Sequence, residues 1–168
     1  MYHLQNKIAL VGGASQGLGA ACAIGLAAAG ATVIIYARTE EKLKQVVNNL
    51  PKPLDQDHSY LIIDTQNLIE TKKIITQFLE KNKTVHLLVN NTGGPAAGHL
   101  FETSINDLKL AFESHVLHAH QMVQLILPGM RAANFGRIVN ILSVSIKEPI
   151  DDLGISNTIR AGMANWAK

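Results

Sequence analysis

The chain has 168 residues, of which 47% are apolar and 17% are charged, and its formal net charge is +2. This length is typical of one domain, and so apolar a chain can bury enough surface to offset the entropy lost on folding, which excludes intrinsic disorder. The Lys and Arg residues are scattered without forming a basic stripe, so no nucleic-acid partner is expected. The low charged fraction favours burial of some surface against another subunit.

Cysteine content and hydropathy restrict the compartment. Cys22 is the single cysteine, so neither an internal disulfide nor a zinc-binding thiolate pair can form, no metal is expected, and a reducing cytoplasm is the predicted location. The stretch Ile8–Ala37 carries no charge and is long enough to cross a bilayer. Glycines divide it into short pieces, however, and residues 1–7 lack the basic and apolar regions typical of a signal peptide, so a soluble domain without membrane contact is expected.

Apolar runs of strand length alternate with helical patterns, which predicts an α/β domain with a parallel sheet. The five predicted strands are Lys7–Val11, Thr32–Tyr36, Tyr60–Ile63, His86–Asn90 and Arg137–Leu142. The predicted helices are Gly17–Ala29, Glu40–Asn49, Leu68–Lys81, Ile105–Met130 and a last one that begins near Ser156. Because crossover connections are right-handed, this order predicts a doubly wound, Rossmann-type sheet that binds ligands at the carboxyl ends of its strands.

Local signals predict several helix ends. Gly30 stands where a left-handed residue ends a helix, Thr39 stands at an N-cap, and Ser104 with Asp107 forms a weak capping pair. We find no linker or repeat, so residues 1–168 are predicted to form one domain. Only one helix start follows the fifth strand, so the sheet is expected to lack its C-terminal strands, either because the protein is longer than this sequence or because those strands are disordered or cleaved.

A glycine-rich segment joins the first strand to an Ala-rich helix, and it reads Gly12-Gly13-Ala14-Ser15-Gln16-Gly17-Leu18-Gly19. In this context such a segment is typical of a phosphate-binding turn. Gly13 would allow a tight turn, Gly17 the close approach of backbone N–H groups to a pyrophosphate, and Gly19 close packing of helix on strand. The residues predicted to bind a dinucleotide are Gly13, Ser15, Gln16, Gly17, Leu18 and Gly19. The alternative is a structural strand-to-helix turn.

The spacing Gly-x3-Gly-x-Gly resembles that of the short-chain dehydrogenase/reductase family. Asn90-Asn91-Thr92-Gly93 is similar to the family's Asn-Asn-Ala-Gly motif, and Leu127-Pro128-Gly129-Met130 resembles the end of its interface helix. Gly136-Arg137-Ile138-Val139-Asn140-Ile141 resembles its fifth strand, so the resemblance covers the whole chain. It implies that Asn91, Thr92 and Gly93 border the cofactor and that Asp64 meets the adenine amino group.

The residues that follow the second predicted strand bear on the choice of cofactor. A carboxylate there would accept the ribose hydroxyls of NAD and repel the extra phosphate of NADP. This sequence has Arg38 instead, and a guanidinium attracts a 2′-phosphate. NADP(H) is therefore the expected cofactor and NAD(H) the less favoured one. The alternative is that Arg38 is an ordinary solvated charge.

The resemblance also implies four catalytic positions, three of which carry a different residue type here. Family members have a Ser after the fifth strand, a Tyr thirteen residues later, a Lys one helical turn further on, and an Asn in the long helix. Ser143 matches the Ser, whereas Ser156, Arg160 and His115 stand at the Tyr, Lys and Asn positions. The set resembles a divergent branch with Ser-Asn-x-x-Arg in place of Tyr-x-x-x-Lys, usually named oxidoreductases or 3-oxoacyl-carrier-protein reductases.

These replacements change the proton chemistry. A Ser hydroxyl is a far weaker acid than a Tyr hydroxyl, and a guanidinium, with a pKa above about 12, can hold a ribose but cannot pass protons. An imidazole has an ordinary pKa of about 6.5, so His115 is the candidate substitute acid, with Ser143 polarising the carbonyl. The alternative for His115 is a helix residue capped by a backbone carbonyl or by water.

Two functions remain open at this point. The first is an NADPH-linked oxidoreductase that reduces a small carbonyl compound, such as a 3-oxoacyl substrate, with an atypical catalytic set. The second is a catalytically impaired nucleotide-binding scaffold or regulatory subunit that acts through its assembly. For either function the resemblance implies a homodimer or homotetramer built through the long helix and the last helix.

Overall fold

The computed structural model describes residues 3–82 and 84–168. Among these residues, five parallel strands form one sheet: β1 (Ile8–Gly12), β2 (Thr32–Ala37), β3 (Ser59–Ile62), β4 (Leu87–Asn90) and β5 (Arg137–Asn140). The α-helices are α1 (Gly17–Ala28), α2 (Glu40–Asn48), α3 (Leu68–Asn82), α4 (Ile105–Phe112), α5 (His118–Ala132) and α6 (Gly154–Trp166). Short 3-10 turns cover Leu100–Glu102 and Val144–Ile146.

The strand order is β3-β2-β1-β4-β5, which confirms the predicted doubly wound, Rossmann-type sheet. Val11 of β1 is paired with Ile35 of β2 on one side and with Val89 of β4 on the other. The chain therefore leaves β1 first toward β3 and later toward β5. In such a sheet the crevice for a ligand lies where the strand order reverses, beyond the carboxyl ends of β1 and β4.

Helices cover both faces of the sheet, so the central strands are buried throughout. Ala9 and Val11 face one apolar cluster together with Ala23 of α1, whereas Leu10 faces a second cluster with Met122 of α5. This alternation follows from the two-residue period of a strand. The small side chains of α1 let its backbone lie close to β1. A third cluster packs α6 against α4 and α5.

Two of the predicted helix ends are confirmed in detail. Gly30 has φ +96°, its N–H donates to the carbonyl of Ala27 at 2.9 Å, and the Ala31 N–H donates to that of Leu26 at 3.1 Å, which is a Schellman motif. The Ser104 hydroxyl accepts from the Asp107 N–H at 3.1 Å and so caps α4. Thr39 occupies the N-cap position of α2, but its side chain makes no capping hydrogen bond.

Two predicted features need correction. The prediction of one continuous helix over Ile105–Met130 is wrong in its middle, because Glu113–Leu117 forms a π-helical turn between α4 and α5. Such a turn is built from the same residue types as an α-helix, so composition does not reveal it. The fifth strand ends at Asn140 and not at Leu142.

The uncharged stretch near the N-terminus folds as β1, α1 and β2. Within the described ranges, no helix has the length and apolar character needed to cross a bilayer. The buried apolar residues of the uncharged stretch lie in the interior on either side of the sheet.

We expect Gly30→Ala to lower the free energy of unfolding by about 1–2 kcal/mol, because a Cβ disfavours the positive φ that ends α1. The matched control is Gly25→Ala on the exposed face of the same helix, where a Cβ would meet no heavy atom within 4 Å. This control should raise the free energy by about 0.5–1 kcal/mol. Urea unfolding measures both, and equal changes in the two variants would contradict the assigned helix end.

Candidate functional site

A cleft of about 710 Å³ lies beyond the carboxyl ends of the first four strands. Its walls come from the glycine-rich turn after β1, the residues that follow β2, β3 and β4, and the segment where α4 meets the π turn. Eight residues predicted to form the site line it: Gly13, Ser15, Gln16, Arg38, Asp64, Thr92, Gly93 and His115. The sequence therefore predicted eight of the residues that line the cleft.

The glycine-rich turn is held from below by Asn91. The Nδ2 of Asn91 donates to the carbonyls of Gly12 at 3.1 Å and of Gly13 at 3.3 Å. Gly13 has φ +57°, and a Cβ on it would lie 2.7 Å from that same Nδ2. The prediction that Gly13 allows a tight turn therefore has a physical basis. Asn91 lies beneath the turn and does not line the cleft.

The other two glycines have different surroundings. A Cβ on Gly19 would lie 2.5 Å from the carbonyl oxygen of Gly13, so Gly19 lets α1 pack against the turn, whereas the sequence predicted packing against the strand. Gly17 has φ +59° and no heavy atom within 4 Å of a Cβ built on it. Gly17 and Leu18 are exposed beside the turn, which leaves the main chain accessible there.

The start of α1 fits an anionic group. Its N-cap residue, Gln16, makes no side-chain capping hydrogen bond, and the first turn of α1 holds no acidic residue. The first N–H groups of a helix have no partner within the helix and lie at the positive end of its dipole. Backbone donors without a competing carboxylate suit a pyrophosphate. The residues present therefore fit a dinucleotide.

The ends of β2, β3 and β4 supply the side-chain groups of this half of the cleft. Arg38 is exposed on the cleft wall. Asp64, also exposed, accepts the Gln66 N–H at 3.0 Å. Thr65 and Thr92 lie with their hydroxyls 3.3 Å apart, which joins the loop after β3 to the loop after β4.

His115 lies in the π turn and is only 5% exposed. Its Nδ1 is 3.0 Å from the carbonyl oxygen of Ala111, and because a carbonyl only accepts, Nδ1 carries the ring hydrogen and Nε2 keeps a lone pair. Burial, together with the charge of Arg160, lowers the pKa of His115 to about 4. The ring is therefore neutral at pH 7 and is a scarce proton donor there.

Behind His115 lies a second cavity, of about 20 Å³. Four of its lining residues keep a buried polar atom without a hydrogen-bond partner in the described structure: Asn90 Oδ1, His115 Nε2, His118 Nδ1 and Arg160 Nε. Buried polar groups in proteins are nearly always hydrogen-bonded. The cavity has the size and the polar lining that one water molecule requires.

Arg160 and His118 bring other parts of the fold to this cavity. The Nη1 of Arg160 donates to the carbonyl of Ile141 at 2.7 Å, and burial lowers the pKa of its guanidinium. The Nε2 of His118 lies 3.1 Å from the hydroxyl of Tyr36, whose pKa is raised by complete burial. Tyr36 is thus not a replacement acid, because its hydroxyl is buried against His118.

The two serines predicted as catalytic line neither cavity. The Oγ of Ser143 accepts the Ser145 N–H at 3.1 Å. Ser156 is half-buried in the first turn of α6. The structure brings His115 and Arg160 together at the smaller cavity but not the two serines with them. A catalytic role for Ser143 and Ser156 therefore stays a prediction.

Sequence reasoning missed a contact that builds the outer wall of the cleft. The Gly98 N–H donates to the carbonyl of Asp152 at 2.6 Å, and the Gly154 N–H donates to that of Gly98 at 3.2 Å. A side-chain contact of 3.1 Å joins His99 to Asp152. These bonds join the loops that follow β4 and β5. No local signal in either loop indicates its partner.

We also find no metal site in residues 3–82 and 84–168, where no cluster of three or more His, Cys, Asp or Glu side chains has a suitable arrangement. His115 and His118 have helical spacing, but they face a cavity without a carboxylate among its lining residues.

The neutral histidines should make the protein less stable in mild acid. Burial lowers the pKa of both His115 and His118 to about 4, whereas an unfolded chain binds these protons at about pH 6.5. As the pH falls between these values the unfolded state takes up protons first, so the free energy of unfolding decreases, by about 2 kcal/mol per ring from pH 7 to pH 5. Urea unfolding at the two pH values measures this decrease.

The matched variants for this measurement are His115→Gln and His120→Gln. The decrease from pH 7 to pH 5 should shrink by about 2 kcal/mol in His115→Gln. It should be unchanged in His120→Gln, because His120 is exposed. An identical pH dependence in all three proteins would contradict the buried neutral ring.

Known proteins resemble this chain over nearly its whole length. Ketoacyl reductase HetN of Nostoc sp. is 29% identical over 166 residues, which cover 99% of this chain and 58% of the relative. A short-chain dehydrogenase from Streptomyces avermitilis superposes with a TM-score of 0.88 at 30% identity, over 99% of this chain and 59% of its own. A 3-oxoacyl-(acyl-carrier-protein) reductase from Agrobacterium tumefaciens C58, solved with NADP bound, has a TM-score of 0.89 at 28% identity.

That last match covers 98% of this chain and 63% of the reductase, so the chain spans about three-fifths of the length of these relatives. The family model described as short chain dehydrogenase matches residues 7–164. The chain has the glycine-rich turn, the strand order and the cleft described above, and it belongs to the short-chain dehydrogenase family.

Proposed function

We propose that this protein is an NADP(H)-dependent oxidoreductase that reduces a carbonyl substrate. The observation that carries the proposal is the cleft itself, which is lined both by the glycine-rich turn and by Arg38. Relatives named ketoacyl reductase and 3-oxoacyl-(acyl-carrier-protein) reductase support a 3-oxoacyl-like substrate class. The single Cys22 supports a reducing compartment such as the cytoplasm.

In this proposal each wall of the cleft binds one part of the dinucleotide. The uncapped N-terminus of α1 and the main chain at Gly17 bind the pyrophosphate. The Arg38 guanidinium binds the 2′-phosphate, and Asp64 accepts from the adenine amino group. Thr92 and Gly93 border the far end. When bound, the nicotinamide supplies the hydride for the carbonyl carbon.

The carbonyl oxygen must receive a proton, and the chain offers few donors. His115 lines the cleft, and its lowered pKa of about 4 makes it a strong acid in the small charged fraction. Arg160 stays charged at the adjoining cavity, where it favours the neutral form of His115. The predicted roles of Ser143 and Ser156 toward the substrate oxygen would require their side chains to reach the cleft, which neither of them lines.

A second candidate function is a nucleotide-binding scaffold or regulatory subunit without turnover. It is favoured by a specific observation, since neither Ser143 nor Ser156 lines the cleft. Under either function we propose a homodimer or homotetramer. The exposed apolar side chains of Phe112 and Leu117 along the long helix support this assembly.

Arg38→Asp tests the choice of cofactor. We expect the affinity for NADPH to fall by at least about tenfold, since a charge-assisted bond to phosphate is replaced by repulsion, while the affinity for NADH changes little. Fluorescence titration with the two cofactors measures this difference. Equal losses for NADPH and NADH would refute the preference for NADP(H).

Turnover separates the two candidate functions. The protein is incubated with NADPH and a panel of 3-oxoacyl and other small carbonyl compounds, and the nicotinamide absorbance is followed. Consumption that falls about tenfold per pH unit above pH 5, and that is abolished in His115→Ala, is expected for His115 as the acid. Unchanged rates in His115→Ala would remove His115 from the mechanism, and tight binding without consumption would favour the scaffold.

A further inference from the structure

The outer wall of the cleft carries a histidine, His99, that the proposed function does not use. His99 lines the cleft, and its Nε2 lies 3.1 Å from the Oδ1 of Asp152. Both side chains are more than half exposed, so a ligand in the cleft can reach the ring. The contact joins the loop after β4 to the loop after β5.

Three further contacts restrain His99. Its ring stacks on that of Phe101, with the ring centroids 5.5 Å apart and the planes inclined by 18°. Its backbone carbonyl accepts the Glu102 N–H at 3.2 Å and the Thr103 hydroxyl at 3.2 Å. Ring and backbone are therefore both held before any ligand binds, which lowers the entropy cost of binding one.

The backbone of Asp152 has an uncommon conformation. Its φ of +58° lies in the left-handed region, which costs free energy in a residue with a side chain and persists where the surrounding structure imposes it. The Asp152 carbonyl accepts the Gly98 N–H at 2.6 Å. A Cβ on Gly154 would lie 2.6 Å from the Cβ of Leu100, so the two loops pack closely beside the pair.

The contact with Asp152 decides which ring nitrogen of His99 is a donor. A carboxylate only accepts, so in the neutral imidazole Nε2 carries the hydrogen and donates to Asp152, whereas Nδ1 keeps a lone pair. Within residues 3–82 and 84–168, no group makes a hydrogen bond to this Nδ1. His99 therefore offers a free acceptor at the outer wall of the cleft.

The other polar side chains on this part of the cleft are also acceptors or already have a partner. Glu102 and Asp107 line the cleft as carboxylates, and Asp107 accepts the Ser104 hydroxyl at 2.7 Å. The hydroxyl of Thr103 is used on the His99 carbonyl. A ligand group at the outer wall therefore meets acceptors, and it binds there by donating a hydrogen.

We propose that His99 is a specificity-determining residue, and that the substrate carries a hydroxyl or an amide N–H that donates to its Nδ1. The inference rests on the proposed function and deepens it, because it names the chemistry of the substrate beyond its carbonyl. A site that offers an acceptor disfavours an analogue without the donor, since the acceptor then loses water and gains no partner.

Three esters of 3-oxobutanoic acid test this inference. The ethyl ester has no donor, the 2-hydroxyethyl ester adds a hydroxyl, and the 2-acetamidoethyl ester adds an amide N–H. Each is titrated by NMR into the protein with NADP+, which holds no hydride to transfer, at about pH 8.5, where a free imidazole is neutral. At least one donor ester should bind about fivefold to tenfold more tightly than the ethyl ester. The tighter of the two identifies the donor.

Variants assign this preference to His99. His99→Phe keeps a ring against Phe101 but has no acceptor, so the three affinities should agree within about twofold. Asp152→Asn should reduce the preference, because an amide N–H can donate to Nε2 and leave the ring hydrogen on Nδ1. Asn also tolerates the left-handed backbone of Asp152. The matched control is Asp151→Asn, an exposed neighbour that should retain the full preference.

Equal affinities for the three esters in the unmodified protein, or a preference that persists in His99→Phe, would overturn the inference. A preference lost in Glu102→Gln and kept in His99→Phe would assign the donor to the Glu102 carboxylate instead.

The proposed function has a separate readout, which is the consumption of NADPH with the same esters. Consumption without any preference in binding would overturn the role of His99 and leave the reductase standing. A preference that depends on His99 but comes without consumption would overturn the reductase and leave His99 as a ligand-binding residue. If the protein binds neither NADP+ nor NADPH, the proposed function fails and the inference fails with it.

Discussion

The amide of Asn91 under the glycine turn is the constraint on which the site depends. Its two hydrogen bonds, to Gly12 and Gly13, join the end of β1 to the end of β4. Atoms of Asn91 fill the space that any side chain on Gly13 would need. These bonds hold the turn against the end of β4, so the start of α1, with its uncapped backbone donors, faces the crevice at the point where the strand order reverses.

Behind this turn the structure places a group of polar side chains in the interior. Tyr36 reaches His118, and His115 shares a small cavity with Arg160. Burial lowers the pKa of both imidazoles, and the Arg160 guanidinium lowers that of His115 further, so the interior is uncharged at these rings and lacks a ready proton donor. Binding of a dinucleotide is therefore better supported by the geometry than the proton transfer that turnover needs.

Charge is distributed unevenly along the cleft. The corner formed by Arg38 and Lys42 is positive, whereas Asp64 after β3 and Glu102 near the cleft mouth are acidic. Under the proposed function the cofactor phosphates meet Arg38 and the adenine amino group meets Asp64. The loops that follow β4 and β5 enclose the other side of the cleft through the bond between Gly98 and Asp152.

Sequence by itself determined the five strands, the glycine turn and the left-handed end of α1 at Gly30. These features follow from side-chain periods of two and 3.6 residues and from the absence of a Cβ, all of which act between near neighbours. Only the tertiary structure decided that Asn91 supports the turn, that Lys42 reaches Gln16, and that the long helix contains a π turn. Asn91 lies 78 or 79 positions from the glycines that it supports, and Lys42 lies 26 positions from Gln16. A contact over such distances depends on how strands and helices pack, which no local pattern specifies.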